Sequence, residues 1–278
     1  MKLGNLEVAI LRDGTMKFDG GAFFGVVPKV LWQRLMPPDE RNRVTVGLNC
    51  VLIKAGGKNI LVDTGMGTKH VQKTLDNYGV QAGKLLPALH DAGLSPHDVD
   101  TVILSHLHFD HAGGCTIVGP SGKPVPAFPR AQYLVQRDDW DEATHPNDRN
   151  RAGYFEQDIM PLQEATQIEV LDGDTEVAQG VWVHLTRGHT AGHQVVFLDA
   201  AGQKACFFGD LVATEHHLPL AYSQSFDLYP VQLLQQKKER LAQAERERWL
   251  VLFDHGFDHK AGYLQREEGK LKLRPVEI

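Results

Sequence analysis

The sequence predicts a mixed α/β (α+β) fold in which two β-sheets pack against each other between helices. Three observations lead there. Short apolar runs bounded by Gly or Asp recur along the chain, the pattern of buried strands. Helical periodicity is confined to a few segments. No internal repeat, low-complexity tract or linker-like stretch divides the pieces, so residues 1–278 are expected to form one domain. With 42% apolar residues in 278 there is ample material for a buried core, and a sandwich of two sheets flanked by helices uses every element.

The strand candidates, in chain order, are "NCVLIKAGGKNILVDTG", "VDTVILS", "AQYLVQ", "VWVHLT", "HQVVFLD", "KACFFGD" and "WLVLFDHG". In the first, "KAGGKN" supplies the glycines of a hairpin turn between "CVLI" and "NILV". The segment "AGKLLPALHDAG" reads as a helix closed by Gly93; "SPHDVD" follows with Ser95 as N-cap, Pro96 at the first position and Asp98 completing a capping box. A second amphipathic helix is expected from about Val231 to Arg248, with Leu234, Leu241 and Leu233 on one face.

Composition excludes several function classes. The net charge is -6, and the one run rich in bases, "QQKKERLAQAERER", interleaves acids with them, so nucleic acid is a poor partner. The N-terminal "MKLGNLEVAILRDG" is broken by Arg12 and Asp13 and reads as neither signal nor anchor, and no run approaches the ~18 apolar residues of a membrane helix. Cys50, Cys115 and Cys206 are too few and scattered for a disulfide framework or a C-x-x-C zinc site, which fits a reducing cytoplasm.

The chemistry concentrates in "SHLHFDHAGG", residues 105 to 114, directly after the apolar "TVIL". On an extended segment His106 and His108 project to one side and can share an ion; Asp110 and His111 follow where the chain leaves the sheet and can turn toward a second. This stretch cannot complete two coordination spheres alone, so distant strand ends must contribute. Candidates are His189 in "TRGHTAGH", Asp210 ending "CFFGD", His255 in "LVLFDHG" and Asp63 in "ILVDTG".

These motifs, in this order, resemble the metallo-β-lactamase-fold hydrolases. The resemblance implies a four-layer αββα sandwich with a binuclear site: His106, His108 and His189 on one metal, Asp110, His111 and His255 on the other, Asp210 bridging both, and Asp63 as a supporting acid. Two divalent ions per chain are implied. The His/Asp donor set points to zinc first, with iron, manganese or cobalt also fitting.

Toward the N-terminus, "DGGAFFGVVPKVLW" and "GGKNILVDTGMG" resemble the branch containing quorum-quenching N-acyl-homoserine-lactone lactonases and, more distantly, methyl parathion hydrolase. Residues of about 15–45 then form a covering segment in which Phe23, Phe24, Trp32 and Leu35 wall an acyl or aryl site. Lactonases of this fold carry a tyrosine three residues after the bridging acid, where this chain has Ala213; His216 and Tyr222 are the candidate replacements, with Asp110 the third catalytic candidate.

The implied activity is metal-assisted opening of lactones or cleavage of esters by a metal-bridging hydroxide, most simply on an N-acyl-homoserine lactone. Aryl phosphotriester (organophosphate) hydrolysis is the nearest alternative, with a di-iron redox enzyme or a nuclease of the same fold further away. The partner expected is a small molecule, with neither nucleic acid nor membrane, and a homodimer is compatible. Of the remaining histidines, His193 reads as a buried orienting residue and His259 as exposed. His184 reads as core or face-lining, and His70, His90, His97 and His145 as surface. Cys50 and Cys206 read as small core residues, while Cys115 lies close to the ligands.

Overall fold

The computed structural model describes residues 1–278. The first half of the chain forms β1 (Lys2–Leu3), β2 (Leu6–Asp19), β3 (Arg43–Ala55), β4 (Lys58–Val62), β5 (Thr101–Ile103), β6 (Thr116–Val118), β7 (Pro124–Pro126), β8 (Gln132–Gln136) and β9 (Ile168–Leu171). The second half forms β10 (Thr175–Ala178), β11 (Val181–Leu185), β12 (Gln194–Ala200), β13 (Gln203–Phe207), β14 (Leu250–Leu252), β15 (Ala261–Glu267) and β16 (Lys270–Pro275). The helices are α1 (Gly20–Phe24), α2 (Lys29–Trp32), α3 (Gln72–Asn77), α4 (Leu85–Asp91), α5 (Phe109–Ala112), α6 (Arg137–Thr144), α7 (Glu156–Glu164) and α8 (Pro230–Glu247). One sheet has the order β1-β2-β3-β4-β5-β8-β9, the other runs from β10 to β16 in sequence order, and β6 pairs with β7 separately.

Layering follows from residue alternation. Val51, Ile53, Val62 and Ile103 point between the sheets and meet Val183, Val196, Leu198, Phe207 and Leu252. Their neighbours Leu52, Leu61 and Val102 point the other way, onto Leu85 and Leu89 of α4 and Ile159 and Leu162 of α7. Beyond the second sheet, Leu233, Leu241 and Ala244 of α8 cover Val195, Cys206 and Val251. Both faces of the central strands are therefore apolar, which is why they read as continuous rather than alternating runs. Full burial stabilises each such side chain by about 1.5–3 kcal/mol.

The expected local signals are present. Ala55 pairs with Lys58 across a two-residue turn in which Gly56 and Gly57 both have positive φ, as a tight hairpin requires. Ser95 and Asp98 form the capping box around Pro96, and Gly93 has φ +79 after α4. Helix α8 starts on Pro230 and ends where Arg248 turns left-handed. One face assignment differs: Leu233 and Leu241 are buried, but Leu234 is 42% exposed. The inward row steps by four, 233, 237, 241, and the position between the leucines is Lys237, whose ammonium donates to the carbonyls of Pro219 and Tyr222. No helix is long and apolar enough to cross a membrane.

Two features carry the chain toward one edge of the sandwich. Strands β4, β5 and β8 are parallel, as are β13 and β14, so the segments after Val62, Ile103, Phe207 and Leu252 emerge together. Asp13, at the bulge in β2, accepts backbone N–H bonds from Met66, Gly67, Gly83 and Leu85, tying the loop after β4 to the start of α4. Below that loop lie the two glycines of "HAGG". A Cβ on Gly114 would fall against the Thr64 carbonyl oxygen, well inside van der Waals contact.

Gly114→Ala is accordingly expected to destabilise the fold by about 1–3 kcal/mol, the usual range for overpacking. Urea unfolding measures it; an unchanged midpoint would show that the loop yields freely at this point.

Candidate metal centre

The ligand-capable side chains all sit on the turns that leave these strand ends. After β5 the chain runs through Ser105, His106 and His108 into the single turn of α5, which carries Asp110 and His111. His189 lies in the turn after β11, Asp210 in the one after β13, and Asp254 and His255 follow β14. All are buried except His108, which is partly so.

They gather into two groups that share Asp210. In the first, His106 Nε2 and His189 Nε2 each lie 3.0 Å from His108 Nδ1, and His189 Nε2 is 3.0 Å from Asp210 Oδ2. In the second, His255 Nε2 is 3.4 Å from Asp110 Oδ2, 3.4 Å from Asp210 Oδ1 and 3.5 Å from Asp254 Oδ2; His111 Nε2 is 3.7 Å from both Asp110 Oδ2 and Asp254 Oδ2. His111 Nε2, His255 Nε2, Asp210 Oδ1 and both oxygens of Asp254 have no hydrogen-bond partner although they are buried. Unpaired buried nitrogens and carboxylate oxygens facing one another are costly unless a cation lies among them. The arrangement fits divalent metal ions.

Four of the five imidazoles are aimed from behind. His111 Nδ1–H donates to Asp63 Oδ2 at 2.8 Å. Ser105 Oγ lies 3.2 Å from His106 Nδ1 and donates to the same Asp63 oxygen. Asp227 holds His189 Nδ1 at 2.8 Å, and the Gly47 carbonyl holds His255 Nδ1 at 2.9 Å. In each case the hydrogen-bonded nitrogen leaves the other free to ligate.

Without an ion the groups divide in their protonation: against the cost of burial, the acids facing His111, His189 and His255 favour their charged form. Burial, then the neighbouring imidazoles, hold His106 and His108 well below 6.5, in the neutral form that binds metals. Burial also opposes protonation of His189, but Asp210 and Asp227 outweigh it and carry its pKa up to about 10. Burial would raise the Asp210 carboxyl; His189 and His255 instead hold it well below the usual carboxylate range. Asp254 is pushed up to about 8 by burial, against the opposing pull of His255.

The floor of a cavity of about 360 Å³ is formed by His108, Asp110, His189 and Asp210, with Phe18, Tyr78, Phe109, Phe226 and Leu228 as walls and Arg149 and Gln224 among the polar lining. The expected aromatic wall is displaced. Phe23, Phe24 and Trp32 are 0%, 0% and 1% exposed, packed with Met16, Val46 and Ala213 rather than facing this cavity. Phe24 stacks on Trp32 and on His217, and Phe23 on Phe18, so they back the wall instead of forming it.

The expected donors also lie elsewhere. His216 lines a separate hollow of about 230 Å³ with Leu35, Glu215, Phe257 and His259, and Tyr222 packs edge-on to Phe24. Within the short turn Glu215–His217 the His216 imidazole lies beside Glu215, its Nε2 3.8 Å from Oε1. Ala213 is buried, and its carbonyl accepts the His255 N–H.

Other histidines divide. His193 is buried and bonded to Thr186, and His90, His97 and His145 are exposed. His184, half-buried, pairs with Asp174, and His259, also half-buried, with Glu215. His70 is a correction: it is buried, not surface, because Lys69 pairs with Asp158 and donates to the Gly113 carbonyl, drawing the loop beneath α7. Cys115 is buried against Thr64 and does not line the cavity. Asp227 and Asp254 were not found from sequence. Asp254 had a signal, standing beside His255, whereas "SQSFDLYP" offers none for Asp227.

Loss of an orienting carboxylate is expected to weaken metal binding by about 10–100-fold. Asp227→Asn should affect chiefly binding at the group that contains His189, whereas Asp63→Asn, at a carboxylate that bonds His111 directly and reaches His106 through the Ser105 hydroxyl, should affect both groups. Chelator competition separates the two; identical profiles for the variants would show that the two groups do not depend on separate carboxylates.

Comparison with known proteins places this geometry. Residues 44–255 match the metallo-beta-lactamase superfamily. An N-acyl homoserine lactonase of Bacillus thuringiensis is 34% identical over 161 residues, 54% of this chain and 57% of that protein. One from Bacillus cereus is 31% identical over 169 residues, 57% of this chain and 60% of that protein. The chain thus matches little more than half the length of these curated relatives. A Staphylococcus aureus protein described as a "probable metal-dependent hydrolase" superposes over the whole of both chains with a TM-score of 0.90 at 29% identity. A dizinc quorum-quenching lactonase solved with its product shares the fold, with a TM-score of 0.80 at 23% identity over all of this chain and 97% of the other. With the matched segment reaching from β3 through all of the gathered His and Asp residues to His255, the chain belongs to the metallo-beta-lactamase superfamily.

Proposed function

We propose that the chain is a binuclear metal-dependent hydrolase that opens N-acyl-homoserine lactones. The observation that carries this reading is the pair of donor groups sharing Asp210 beneath an aromatic-walled cavity of about 360 Å³. The lactonase names of the curated relatives support the substrate class. In the roles proposed, His106, His108 and His189 hold one ion, Asp110, His111 and His255 the other, and Asp210 both. Bound divalent ions supply Lewis acidity toward a carbonyl oxygen and bring a water molecule's pKa down toward ~7.

The chain's own residues do the rest. Asp63, Asp227 and the Gly47 carbonyl keep the imidazoles aimed without rearrangement during turnover. Phe18, Phe109, Phe226 and Leu228 give an acyl chain an apolar path and limit bulk water at the reacting carbonyl. Ring opening leaves an alkoxide that needs a proton. With Ala213 buried and neither His216 nor Tyr222 in the cavity lining, the phenol of Tyr78 is the donor that this wall offers. Burial, then the charge of Asp110, raises its pKa, keeping the proton on oxygen until the alkoxide forms.

A substrate panel on metal-analysed protein tests the class: acyl-homoserine lactones, simple γ- and δ-lactones, aryl esters and aryl phosphotriesters. Lactone turnover well above the rest is expected, and phosphotriester turnover exceeding it would replace the reading with the organophosphate one. Tyr78→Phe is expected to lower kcat on lactones by about 10²-fold at unchanged metal content; full activity would leave Tyr78 without a role in proton transfer.

The wall makes a separate prediction. Phe226→Ala should raise KM for long-chain more than for short-chain lactones. Phe24→Ala should instead cost about 3–5 kcal/mol of stability, as expected for a buried aromatic. Chain-length effects at Phe24 with unchanged stability would restore it to the pocket.

A further inference from the structure

The two donor groups are not chemically alike. Around the first are three imidazole nitrogens and one oxygen of the shared Asp210. Around the second are two imidazole nitrogens, His111 Nε2 and His255 Nε2, with carboxylates of Asp110, Asp210 and Asp254. Asp254 is the residue that the binuclear reading leaves unused. It is 2% exposed, its Oδ2 stands 3.5 Å from His255 Nε2 and 3.7 Å from His111 Nε2, and neither of its oxygens has a partner. A carboxylate held at that depth is expensive unless something positive faces it. The nearest basic atoms are the same two nitrogens that a second ion would draw on, so one cation placed between them satisfies all three residues.

We propose that Asp254 is a ligand of the second ion, making that site a three-carboxylate, two-imidazole site whose preference is shifted toward harder cations than the first. The inference rests on the binuclear reading above. Its chemical basis is donor type: carboxylate oxygens favour Mn²⁺ and other hard ions relative to imidazole, while a site dominated by imidazole suits zinc. Zinc still binds each site more tightly than manganese in absolute terms, following the general order of divalent affinities. What differs between the sites is the ratio. The penalty for exchanging zinc for manganese is smaller at the site holding Asp254, so with zinc limiting at one equivalent per chain and manganese in excess the chain takes up unlike metals, zinc at the imidazole-rich position and the harder ion beside Asp254.

The competing role for Asp254 is a supporting one, a side chain that hydrogen-bonds Asp210 and never touches the ion. Asn is nearly isosteric and can donate to a carboxylate, so Asp254→Asn preserves the supporting role while removing the anionic ligand. Apo protein, wild type and Asp254→Asn, is titrated with Zn²⁺ and with Mn²⁺ against a chromophoric chelator. Elemental analysis after gel filtration supplies the stoichiometry, and circular dichroism of the metal-free proteins verifies the fold.

For wild type two ions per chain are expected, with the site holding Asp254 showing the smaller manganese-to-zinc ratio of dissociation constants. For Asp254→Asn the first ion should bind as in wild type, the second should weaken tenfold or more, and its manganese-to-zinc ratio of dissociation constants should rise toward that of the first site. Two ions bound by the variant with wild-type affinities and ratio would overturn the proposal and leave the binuclear reading standing. One ion or none in the wild type would instead remove the binuclear reading beneath it. Should Asp254→Asn fail to fold, Asp254→Ser, smaller and neutral, is judged by the same criteria.

Discussion

Asp63 stands behind both donor groups and sets the geometry on which the centre depends. One of its oxygens accepts from His111 Nδ1 and from the Ser105 hydroxyl, which in turn faces His106 Nδ1; the other accepts the Ser105 N–H. An imidazole of each group is thus referred to a single carboxylate. Asp63 reaches that position with φ +54, a left-handed conformation that aspartate tolerates better than most residues but that still costs free energy. The strain is held by its surroundings. Its own N–H bonds the Ile103 carbonyl, and the next residue, Thr64, bonds the carbonyl of His111 through both backbone and hydroxyl.

The rest of the sandwich serves that edge. Parallel pairing of β4 with β5 and of β13 with β14 brings four turns to one place, and apolar packing on both faces of each sheet keeps the strands from slipping in register. Charge explains why the turns must be so well fixed. Buried carboxylates and imidazoles at 3–4 Å separations are tolerable only in an arrangement where opposite partners, or a cation, face each other. The shared Asp210 is the point where both groups meet, and its neighbours His189 and His255 come from turns far apart in the chain.

Membership of the metallo-beta-lactamase superfamily accounts for the scaffold and for the His and Asp residues at its edge, but not for the walls of the cavity. Those come from Phe18, Tyr78, Phe109 and the segment around Phe226, which lies on the loop whose Ser225 N–H bonds Ala22 and whose Asp227 orients His189. Cavity wall and imidazole alignment are therefore joined through one short loop, so changes that reshape the wall there also bear on the metal centre.

By itself the sequence determined the fold class, the hairpin turn at Gly56 and Gly57, the cap at Ser95, the span of α8 within a residue, and which His and Asp types stand at strand ends. These are local matters: turn conformation, capping and residue period are written in neighbouring residues, and "HLHFDH" is too dense in ligand-capable groups for packing alone. Tertiary structure decided direction. Phe23, Phe24 and Trp32 carry the composition of a pocket wall, yet whether an aromatic faces a cavity or a second layer depends on what packs above it, here His217 and Ala213 from the other half of the chain. His70 was drawn inward by an ion pair between residues 89 positions apart, Lys69 and Asp158. Asp227 orients His189 across 38 residues, and Asp254 turns into the centre only because β14 ends beside β13. A carboxylate's partner is set by where the backbone carries it, and no pattern of neighbouring residues encodes that.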